Sequence, residues 1–353
     1  MKVLVIDSHK SSKPTPANNL HWINARQIAD MLGGDLIWSY PTVNDDIKGG
    51  YDVIIFVHAS MYGYVDYKWL EASPNAKLFY VTNEYNLGES RILWMAAKAG
   101  RKYEVIANHA QKISKVVNKY VEKWHRVNLN ALCVNPKEIE PTDIQQKVLY
   151  YGSFRKGRIS YFQKYFNNNN MIVSSHKKNH QKFFDVDVNP EFIPRVNWSK
   201  DGLANYKLSL YIEDEKTHNS YNYLANRFYE AINQGVVPLF DESCRGTLER
   251  SVYDIGDEYI IDSTEELDDM VKSPPEFQDY WVGIAKLEKF ICLSQIARLI
   301  GESSNLDSKI LEIVDMPKEI EHPKYGVIWK DGEFTEEGSQ WFIKEIVREK
   351  SDD

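Results

Sequence analysis

Short runs of β-branched and aromatic residues recur along this chain, and stretches with the apolar spacing of a helix lie between them. The clearest run, Asp-Val-Ile-Ile-Phe-Val at 52–57, is typical of a strand buried on both faces. Strands are predicted at 2–6, 35–39, 52–57, 77–81, 104–107, 147–151, 171–174, 208–212, 236–240 and 258–261. Helices are predicted at 18–32, 92–99, 111–119, 158–166, 223–234, 280–300 and 336–350. Because parallel strands are joined by helical crossovers, the alternation predicts βαβ units and an α/β fold with parallel sheets.

The length of the chain indicates how these units are grouped. A chain of 353 residues is long for one domain, and a polar, proline-containing linker at 135–146 separates two halves that both show the alternation. We expect Rossmann-like parallel-sheet domains at 1–146 and 147–300, facing a central cleft, and a segment at 301–353 whose final helix packs back on the N-terminal domain. Ligands of such sheets bind outside the carboxyl ends of the strands, so the loops after the strands are the candidate sites.

The composition excludes several classes of protein. The chain is 43% hydrophobic and 27% charged, which is typical of a folded protein and not of a disordered one. No apolar run reaches the roughly 18 residues of a membrane span, and Asp7 ends the first apolar run too early for a signal peptide. Three scattered cysteines fit a reducing compartment and form no CxxC metal motif. We expect a cytoplasmic monomer with no membrane association and no dedicated set of metal ligands.

The turn after the strand at 147–151 has the residue types of an anion site. Gly152 lets a ligand approach the backbone, Ser153 supplies a hydroxyl, and Arg155 and Arg158 supply guanidinium groups at the start of a helix. This combination predicts a diphosphate site. The turn matches neither GxGxxG nor the Walker A pattern, so an ordinary strand-to-helix turn with solvated basic side chains is the alternative.

A second candidate pair lies in the helix predicted at 223–234. Arg227 and Glu230 are three residues apart and therefore share one helix face. An arginine there can hold a phosphate, and a glutamate one turn later can accept hydrogen bonds from both hydroxyls of a ribose. A surface ion pair between the two side chains is the alternative.

Glu84 is a candidate general base. It follows the strand at 77–81 and so belongs to the carboxyl end of a strand in the first domain. A partly buried carboxylate there would have a raised pKa and could accept a proton from a substrate. A loop acid that caps a turn is the alternative.

Charge is unevenly distributed along the chain. The formal net charge of −8 argues weakly against nucleic acid, yet residues 91–126 contain nine Lys and Arg against two acids, and residues 147–182 contain eight with no acid. A basic face of this kind suits a phosphate backbone, and solvated helix faces explain it equally well. The candidate DNA-binding residues are Arg91, Lys98, Arg101, Lys102, Lys112 and Lys115.

Several segments resemble those of a known family. Residues 148–158, Val-Leu-Tyr-Tyr-Gly-Ser-Phe-Arg-Lys-Gly-Arg, and residues 219–241 are similar to segments of the DNA β-glucosyltransferases of T-even bacteriophages. Residues 1–6 and 77–87 also align, and the likeness covers most of the chain at low identity. The segment at 227–238 also resembles the donor-site helix of GT-B glycosyltransferases in general.

The resemblance implies a GT-B fold and an inverting glycosyltransferase. Such an enzyme transfers a sugar from a UDP-sugar to the hydroxyl of a 5-hydroxymethylated pyrimidine, 5-hydroxymethylcytosine in the family, in duplex DNA. The domain at 1–146 would then bind the acceptor DNA, and the domain at 147–300 would bind the nucleotide-sugar donor. Double-stranded DNA and a UDP-sugar are the expected partners, with no tightly bound cofactor and with Mg²⁺ or Mn²⁺ as an optional aid to the diphosphate.

The resemblance also assigns roles to individual residues. Ser153, Arg155 and Arg227 would hold the diphosphate beside Gly152, and Glu230 would hold the uridine ribose. Arg158 takes the place of a second basic residue, in a loop that is one residue shorter here. Glu84 falls at the position of the catalytic base, which is an aspartate in the family.

Two other functions are compatible with the same sequence. One is a GT-B glycosyltransferase that acts on a glycan or a small molecule, for which DNA binding would be weak and insensitive to salt. The other is a module that binds a nucleotide sugar or DNA without turnover.

If the protein is viral, it would act in the cytoplasm of the host cell.

Overall fold

The computed structural model describes residues 1–7, 20–38, 49–57, 68–82, 100–108, 118–134, 144–196, 202–214, 224–301 and 306–347. The chain divides into two compact units: Met1–Cys133 with Lys286–Asp315, and Val134–Ala285 with Met316–Asp353. None of the described helices is both long enough and apolar enough to cross a membrane.

Six parallel strands form the sheet of the first unit. They are β1 (Val3–Asp7), β2 (Asp35–Trp38), β3 (Val53–Val57), β4 (Lys77–Thr82), β5 (Tyr103–Ala107) and β6 (Val121–Arg126), in the spatial order β2-β1-β3-β4-β5-β6. Every side chain of β1 and β3 is buried, as in parallel sheets that are covered on both faces. The strand order reverses between β1 and β3.

The second unit contains another six-stranded parallel sheet. Its strands are β7 (Gln145–Tyr151), β8 (Met171–Ser174), β9 (Glu191–Ile193), β10 (Tyr206–Tyr211), β11 (Val237–Asp241) and β12 (Ile260–Ile261), in the order β12-β11-β10-β7-β8-β9. Here the strand order reverses between β7 and β10.

Helices connect the strands of both units. The described α-helices are α1 (Leu20–Leu32), α2 (Lys68–Ala72), α3 (Ile159–Tyr165), α4 (Lys177–Phe184), α5 (Asn226–Ile232), α6 (Arg245–Glu249), α7 (Thr264–Lys272), α8 (Asp279–Ile300), α9 (Leu306–Val314) and α10 (Glu336–Trp341). Gly235 follows α5 with a φ of +67°, a left-handed conformation that suits glycine and ends the helix before β11. Trp281 at the start of α8 is fully buried and packs edge-on against Tyr259.

The C-terminal segment differs from the prediction in its second part. Residues 306–315 belong to the first unit, but residues 316–347, which include the final helix that the sequence suggested would pack on the N-terminal domain, belong to the second unit. The segment forms an antiparallel sheet of β13 (Glu319–His322), β14 (Gly326–Lys330) and β15 (Glu333–Phe334), followed by α10. The physical reason lies in its contacts with α8: Ile320 packs against Gly283, and the His322 ring lies 5.9 Å from the Tyr280 ring.

The prediction of two parallel α/β sheets is confirmed, and each predicted strand has a counterpart whose ends agree within two residues. The sequence did not predict β6 or β9, because each is an edge strand with one partner and is only partly buried, so neither forms a long apolar run. Most of the predicted helices at 92–99 and 111–119 lies outside the described residues.

Candidate functional site

The carboxyl ends of β7 and β10 lie side by side where the strand order of the second sheet reverses. Open parallel sheets bind ligands at such topological switch points. The loop after β7, the loop after β10 and the first turn of α5 bring polar side chains to this point, and all of them belong to the second unit.

The loop that follows β7 is anchored by its backbone and by one aromatic ring. Gly152 N donates a hydrogen bond to Ser174 O at 3.0 Å, which ties the loop to the neighbouring strand. The Phe154 ring packs against Phe162 and Phe183, with ring centroids 5.6 and 5.1 Å apart. Phe154 therefore fixes the path of the loop through apolar packing.

The polar side chains of this loop remain on the surface. Ser153, Arg155 and Lys156 are exposed. Among the described residues, no acid forms an ion pair with Arg155 or Lys156. A 3-10 turn at Lys156–Arg158 then leads into α3. The exposed hydroxyl and the two cations, which pair with no acid in the described ranges, are accessible to an anion.

Arg158 is buried, and its guanidinium is occupied by protein groups. Nε donates to Asp214 Oδ1 at 2.9 Å, Nη1 donates to the Tyr150 hydroxyl at 3.2 Å, and Nη2 donates to Glu213 Oε2. Burial alone would lower the pKa of Arg158, but Tyr150, Glu213 and Asp214 raise it, so the group stays charged. With 5% of the side chain exposed, Arg158 positions its neighbours and is not set to contact a ligand.

Arg227 approaches the same carboxylate from α5. Its Nη1 donates to Glu213 Oε1 at 2.7 Å and to Ile212 O at 2.8 Å, and its Nε donates to Tyr151 O at 3.3 Å. Nη2 faces Gly152, since a Cβ added to that glycine would lie 3.2 Å from it. The glycine thus keeps the space in front of the guanidinium open.

Glu213 joins the two arginines, and it was not among the residues predicted from the sequence. It is 6% exposed, and each of its carboxylate oxygens accepts from a different guanidinium. A buried carboxylate requires such partners. The available signal was its position: Glu213 lies two residues beyond Tyr211, the last residue of a buried parallel strand at the centre of the sheet.

Glu230 lies one turn after Arg227 and is also buried. Burial raises the pKa of Glu230 to about 7, although the Arg227 cation and a hydrogen bond from Tyr151 act in the opposite direction. A surface ion pair between Arg227 and Glu230, the alternative from the sequence, does not form, because Arg227 pairs with Glu213. The carboxyl group of Glu230 is therefore poised between its protonated and ionised forms near neutral pH.

The loops after β8 and β9 add basic groups to this edge of the sheet. Arg195 Nη1 lies 2.9 Å from His176 Nε2. Burial, Arg195 and Lys178 lower the pKa of His176, so the imidazole is neutral near pH 7 and can accept from Arg195. The positive charge of Arg195 also acts on Glu230 and lowers its pKa. Arg195 therefore belongs to the electrostatic surroundings of the same site.

Most predicted site residues of the first unit lie outside the described residues. They are Glu84, Arg91, Lys98, Lys112 and Lys115. Glu84 is two positions further along the chain than the last residue of β4. Its role as a base and the role of these cations in DNA binding stay predictions.

Arg101 and Lys102 are described, and they differ. Arg101 Nη1 donates to Ser73 O at 3.1 Å and to Leu70 O at 3.4 Å, and its Nη2 donates to Ala76 O. Arg101 therefore stabilises the chain between α2 and β4, and these backbone bonds do not support the predicted contact with DNA. Lys102 is exposed.

The carboxylates at the switch point do not form a set of metal ligands. Glu213 and Asp214 are paired with arginine side chains. Among the described residues, no group of three His, Cys, Asp or Glu side chains is arranged to hold a metal ion. The described residues therefore do not supply a complete set of protein ligands for a divalent cation.

Comparison with known proteins shows the fold. No family model matches the chain, and no curated protein sequence matches it. A structure of T4 phage BGT in complex with UDP and Mn²⁺ matches with a TM-score of 0.54 and 14% identity, over 90% of this chain and 100% of that chain. A point mutant of T4 phage BGT in complex with UDP-glucose matches with a TM-score of 0.56 and 16% identity, over the same shares of the two chains. The predicted GT-B fold is therefore confirmed.

Proposed function

We propose that this protein is an inverting glycosyltransferase that transfers a sugar from a UDP-sugar to the hydroxyl of a 5-hydroxymethylated pyrimidine in duplex DNA. The observation that carries the proposal is the cluster at the switch point of the second sheet, where Arg227 faces Gly152 and lies one helical turn from the buried Glu230. The fold likeness to T4 phage BGT, which was solved with UDP and with UDP-glucose, supports a UDP-sugar as the donor.

The donor would bind along this cluster. Its diphosphate lies over Gly152, where Arg227 Nη2, the Ser153 hydroxyl and the Arg155 guanidinium supply hydrogen-bond donors and positive charge. Its ribose hydroxyls donate to the Glu230 carboxylate. Arg158 and Glu213 hold Arg227 in position from inside the protein.

The chemical step needs a base and a stabilised leaving group. Glu84 takes the proton from the acceptor hydroxyl as that oxygen attacks the anomeric carbon from the face opposite the diphosphate. The bond from the anomeric carbon to the diphosphate oxygen breaks, and UDP leaves with an additional negative charge. Arg227 and Arg155 stabilise this charge as it develops. A single displacement inverts the anomeric centre.

A hydroxymethylated base is not accessible inside a duplex. It must leave the base stack before its hydroxyl can reach the anomeric carbon, and a cationic surface that holds the phosphate backbone offsets part of that cost. The exposed cations at the carboxyl edge of the second sheet support a polyanionic acceptor.

The test is transfer itself. The protein is incubated with a panel of UDP-sugars and with duplex DNA containing 5-hydroxymethylcytosine or 5-hydroxymethyluracil, and the DNA is digested to nucleosides that are weighed by mass spectrometry. We expect one UDP-sugar to add the mass of its sugar to one modified nucleoside. Transfer to a saccharide or protein, with no transfer to DNA, would contradict this proposal.

One observation favours the second candidate, a GT-B glycosyltransferase that acts on a glycan or small molecule. Arg101, predicted to contact DNA, is bound to backbone carbonyls, and the whole chain has a formal charge of −8. Under this function, DNA binding would be weak and would not depend on salt.

The open space at Gly152 predicts a first mutational result. Gly152→Ala adds a Cβ 3.0 Å from the Tyr150 hydroxyl and 3.2 Å from Arg227 Nη2, so these groups must shift. We expect UDP to bind about tenfold more weakly, a change of about 1.4 kcal/mol by calorimetry. Gly157→Ala is the matched control in the same loop, because its Cβ meets Asp214 at an ordinary 3.4 Å. Equal effects of the two substitutions would contradict the placement of the diphosphate.

The raised pKa of Glu230 predicts pH-dependent donor binding. Ribose hydroxyls bind the ionised carboxylate, so affinity rises as pH increases through about 7 and levels off above it. Between about pH 6 and pH 8 we expect about a tenfold gain in the affinity for UDP-glucose, whose doubly esterified diphosphate does not titrate in this range. Glu230→Gln should bind more weakly and with a flat profile. A wild-type profile without a step near pH 7 would exclude this role.

The same group affects stability with the opposite sign. A carboxyl group with a pKa raised by burial favours the folded state while it is protonated. This contribution is present below the ordinary pKa of 4.5 and is lost as pH rises to about 7. Free protein should therefore lose stability over the range in which donor binding strengthens.

A further inference from the structure

Three neighbouring loops of the second unit present positive charges at one edge of the sheet. Tyr151 is paired with Ser174, and Ser174 with Ile193, so β7, β8 and β9 end at the same level. Adjacent strands lie about 5 Å apart, which places the starts of the three following loops within about 10 Å. We name this surface the basic edge, and its exposed cations are Arg155, Lys156, Lys177, Lys178 and Arg195.

Within the described residues, no acid neutralises the charges of the basic edge. None of the five side chains forms an ion pair with a residue in the described part of the chain, and the loop segments 152–158, 175–178 and 194–196 contain no acid. Other lysines of the same sequence block are paired: Lys147 binds Glu191, and Lys164 binds Asp241 and Asp262. In the described part of the chain, these two lysines outside the edge are thus paired with acids, whereas the cations of the edge are not.

The position of two of these lysines is unfavourable for the free protein. Lys177 and Lys178 are the first two residues of α4, at the positive end of the helix dipole, and the preceding His176 provides no side-chain cap. The positive end of the dipole repels a cation and attracts an anion. An external anion bound at this position would offset the unfavourable electrostatic energy of the two lysines.

The donor does not account for all of this charge. A diphosphate esterified at both ends brings two negative charges, and Glu230 brings at most one more, so at least two of the five cations of the basic edge stay unmatched. Arg155 lies in the donor loop, and Arg195 acts electrostatically on Glu230. Lys156 shares the donor loop with Arg155, so the cations that lie outside the donor loop and away from Glu230 are Lys177 and Lys178, at the start of α4.

We propose that the basic edge of the second unit also binds the phosphate backbone of the acceptor DNA, with Lys177 and Lys178 as the contacting side chains. This inference rests on the proposed function, and it adds a DNA contact in the unit that binds the donor. Lysines that meet phosphates as point charges contribute affinity without reading sequence, and each contact releases counterions. DNA binding should therefore weaken with salt in proportion to the number of contacts.

The experiment measures DNA affinity against salt for Lys177→Gln/Lys178→Gln. Dissociation constants are determined by fluorescence anisotropy, between about 50 and about 200 mM KCl, for one duplex with and one without 5-hydroxymethylcytosine. We expect the slope of log K against log salt to become smaller by about 1.8, equally for both duplexes. The affinity for UDP-glucose should stay within about twofold of the wild type, since the proposed diphosphate site consists of Gly152, Ser153, Arg155 and Arg227 and does not include these lysines.

Lys182→Gln/Lys272→Gln is the matched control. It removes the same charge from exposed positions, at the last turn of α4 and at the end of α7, and should leave the slope at its wild-type value. An unchanged slope in the Lys177/Lys178 variant, with wild-type transfer to DNA intact, would overturn the inference and leave the proposed function standing. A loss of UDP-glucose affinity with an unchanged DNA slope would overturn it by assigning the edge to the donor. A wild-type protein that neither binds DNA nor transfers sugar to it would overturn both.

Discussion

Glu84→Gln is expected to lower kcat by about 10²- to 10⁴-fold, while the dissociation constant for the UDP-sugar changes by less than about twofold. The amide of glutamine is nearly the same size as the carboxylate but cannot accept the proton of the acceptor hydroxyl. Glu84 lies in the first unit's part of the chain, and the donor cluster lies in the second unit. The substitution should therefore lower turnover without changing donor affinity. Single-turnover transfer with labelled UDP-sugar, together with calorimetric titration of UDP, measures both quantities.

Glu84→Asp is the informative control for this prediction. It keeps the carboxylate and shortens the side chain by one methylene, which restores the residue type that the resembling family has at this position. We expect Glu84→Asp to retain far more activity than Glu84→Gln. A glutamine variant that turns over near the wild-type rate would show that another group accepts the proton.

Glu213→Gln is expected to reduce the free energy of unfolding of the second unit by about 3–5 kcal/mol. Glu213 is buried and neutralises both Arg158 and Arg227. Without its charge, Arg158 keeps only Asp214, which is 30% exposed, and Arg227 loses its ion pair with Glu213. Urea denaturation followed by tryptophan fluorescence measures the loss.

The control for this loss is Glu242→Gln. Glu242 also pairs with an arginine, Arg245, but its side chain is 43% exposed, so the change should be below about 1 kcal/mol. UDP should stabilise Glu213→Gln more than it stabilises the wild type, because the diphosphate replaces the missing negative charge beside Arg227. Similar losses in both variants would mean that the two arginines do not depend on Glu213.

Most of the sheet architecture could be predicted from the sequence, whereas the parts that depend on tertiary contacts could not. Strands such as β3 are buried on both faces, so their apolar runs are visible without knowledge of any partner. The edge strand β6 is only partly buried, and β13 alternates exposed and buried residues, so neither contains an apolar run. The packing of the C-terminal segment on α8 depends on Ile320 meeting Gly283, which no local pattern encodes.

The candidate site was predictable to the extent that its residues are local in sequence. Gly152, Arg227 and Glu230 lie in segments whose pattern indicates an anion site or a donor helix, and the structure brings them to one switch point. The link between them was not predictable, because Glu213 meets Arg158 and Arg227 only once β10 is known to pair with β7. The ion pair between Arg158 and Glu213 also shows that Arg158 supports the site from the interior.

Under the proposed function, a donor site that contains its own carboxylate would have a consequence for product release. Arg227 is hydrogen-bonded to Glu213 in the free protein, so a departing UDP would leave behind a guanidinium that remains compensated and needs no new hydration shell. This would lower the barrier to dissociation, and in many enzymes such late steps limit turnover. Glu213 would thereby shorten the residence time of the spent nucleotide and return the protein quickly to the state that accepts the next sugar.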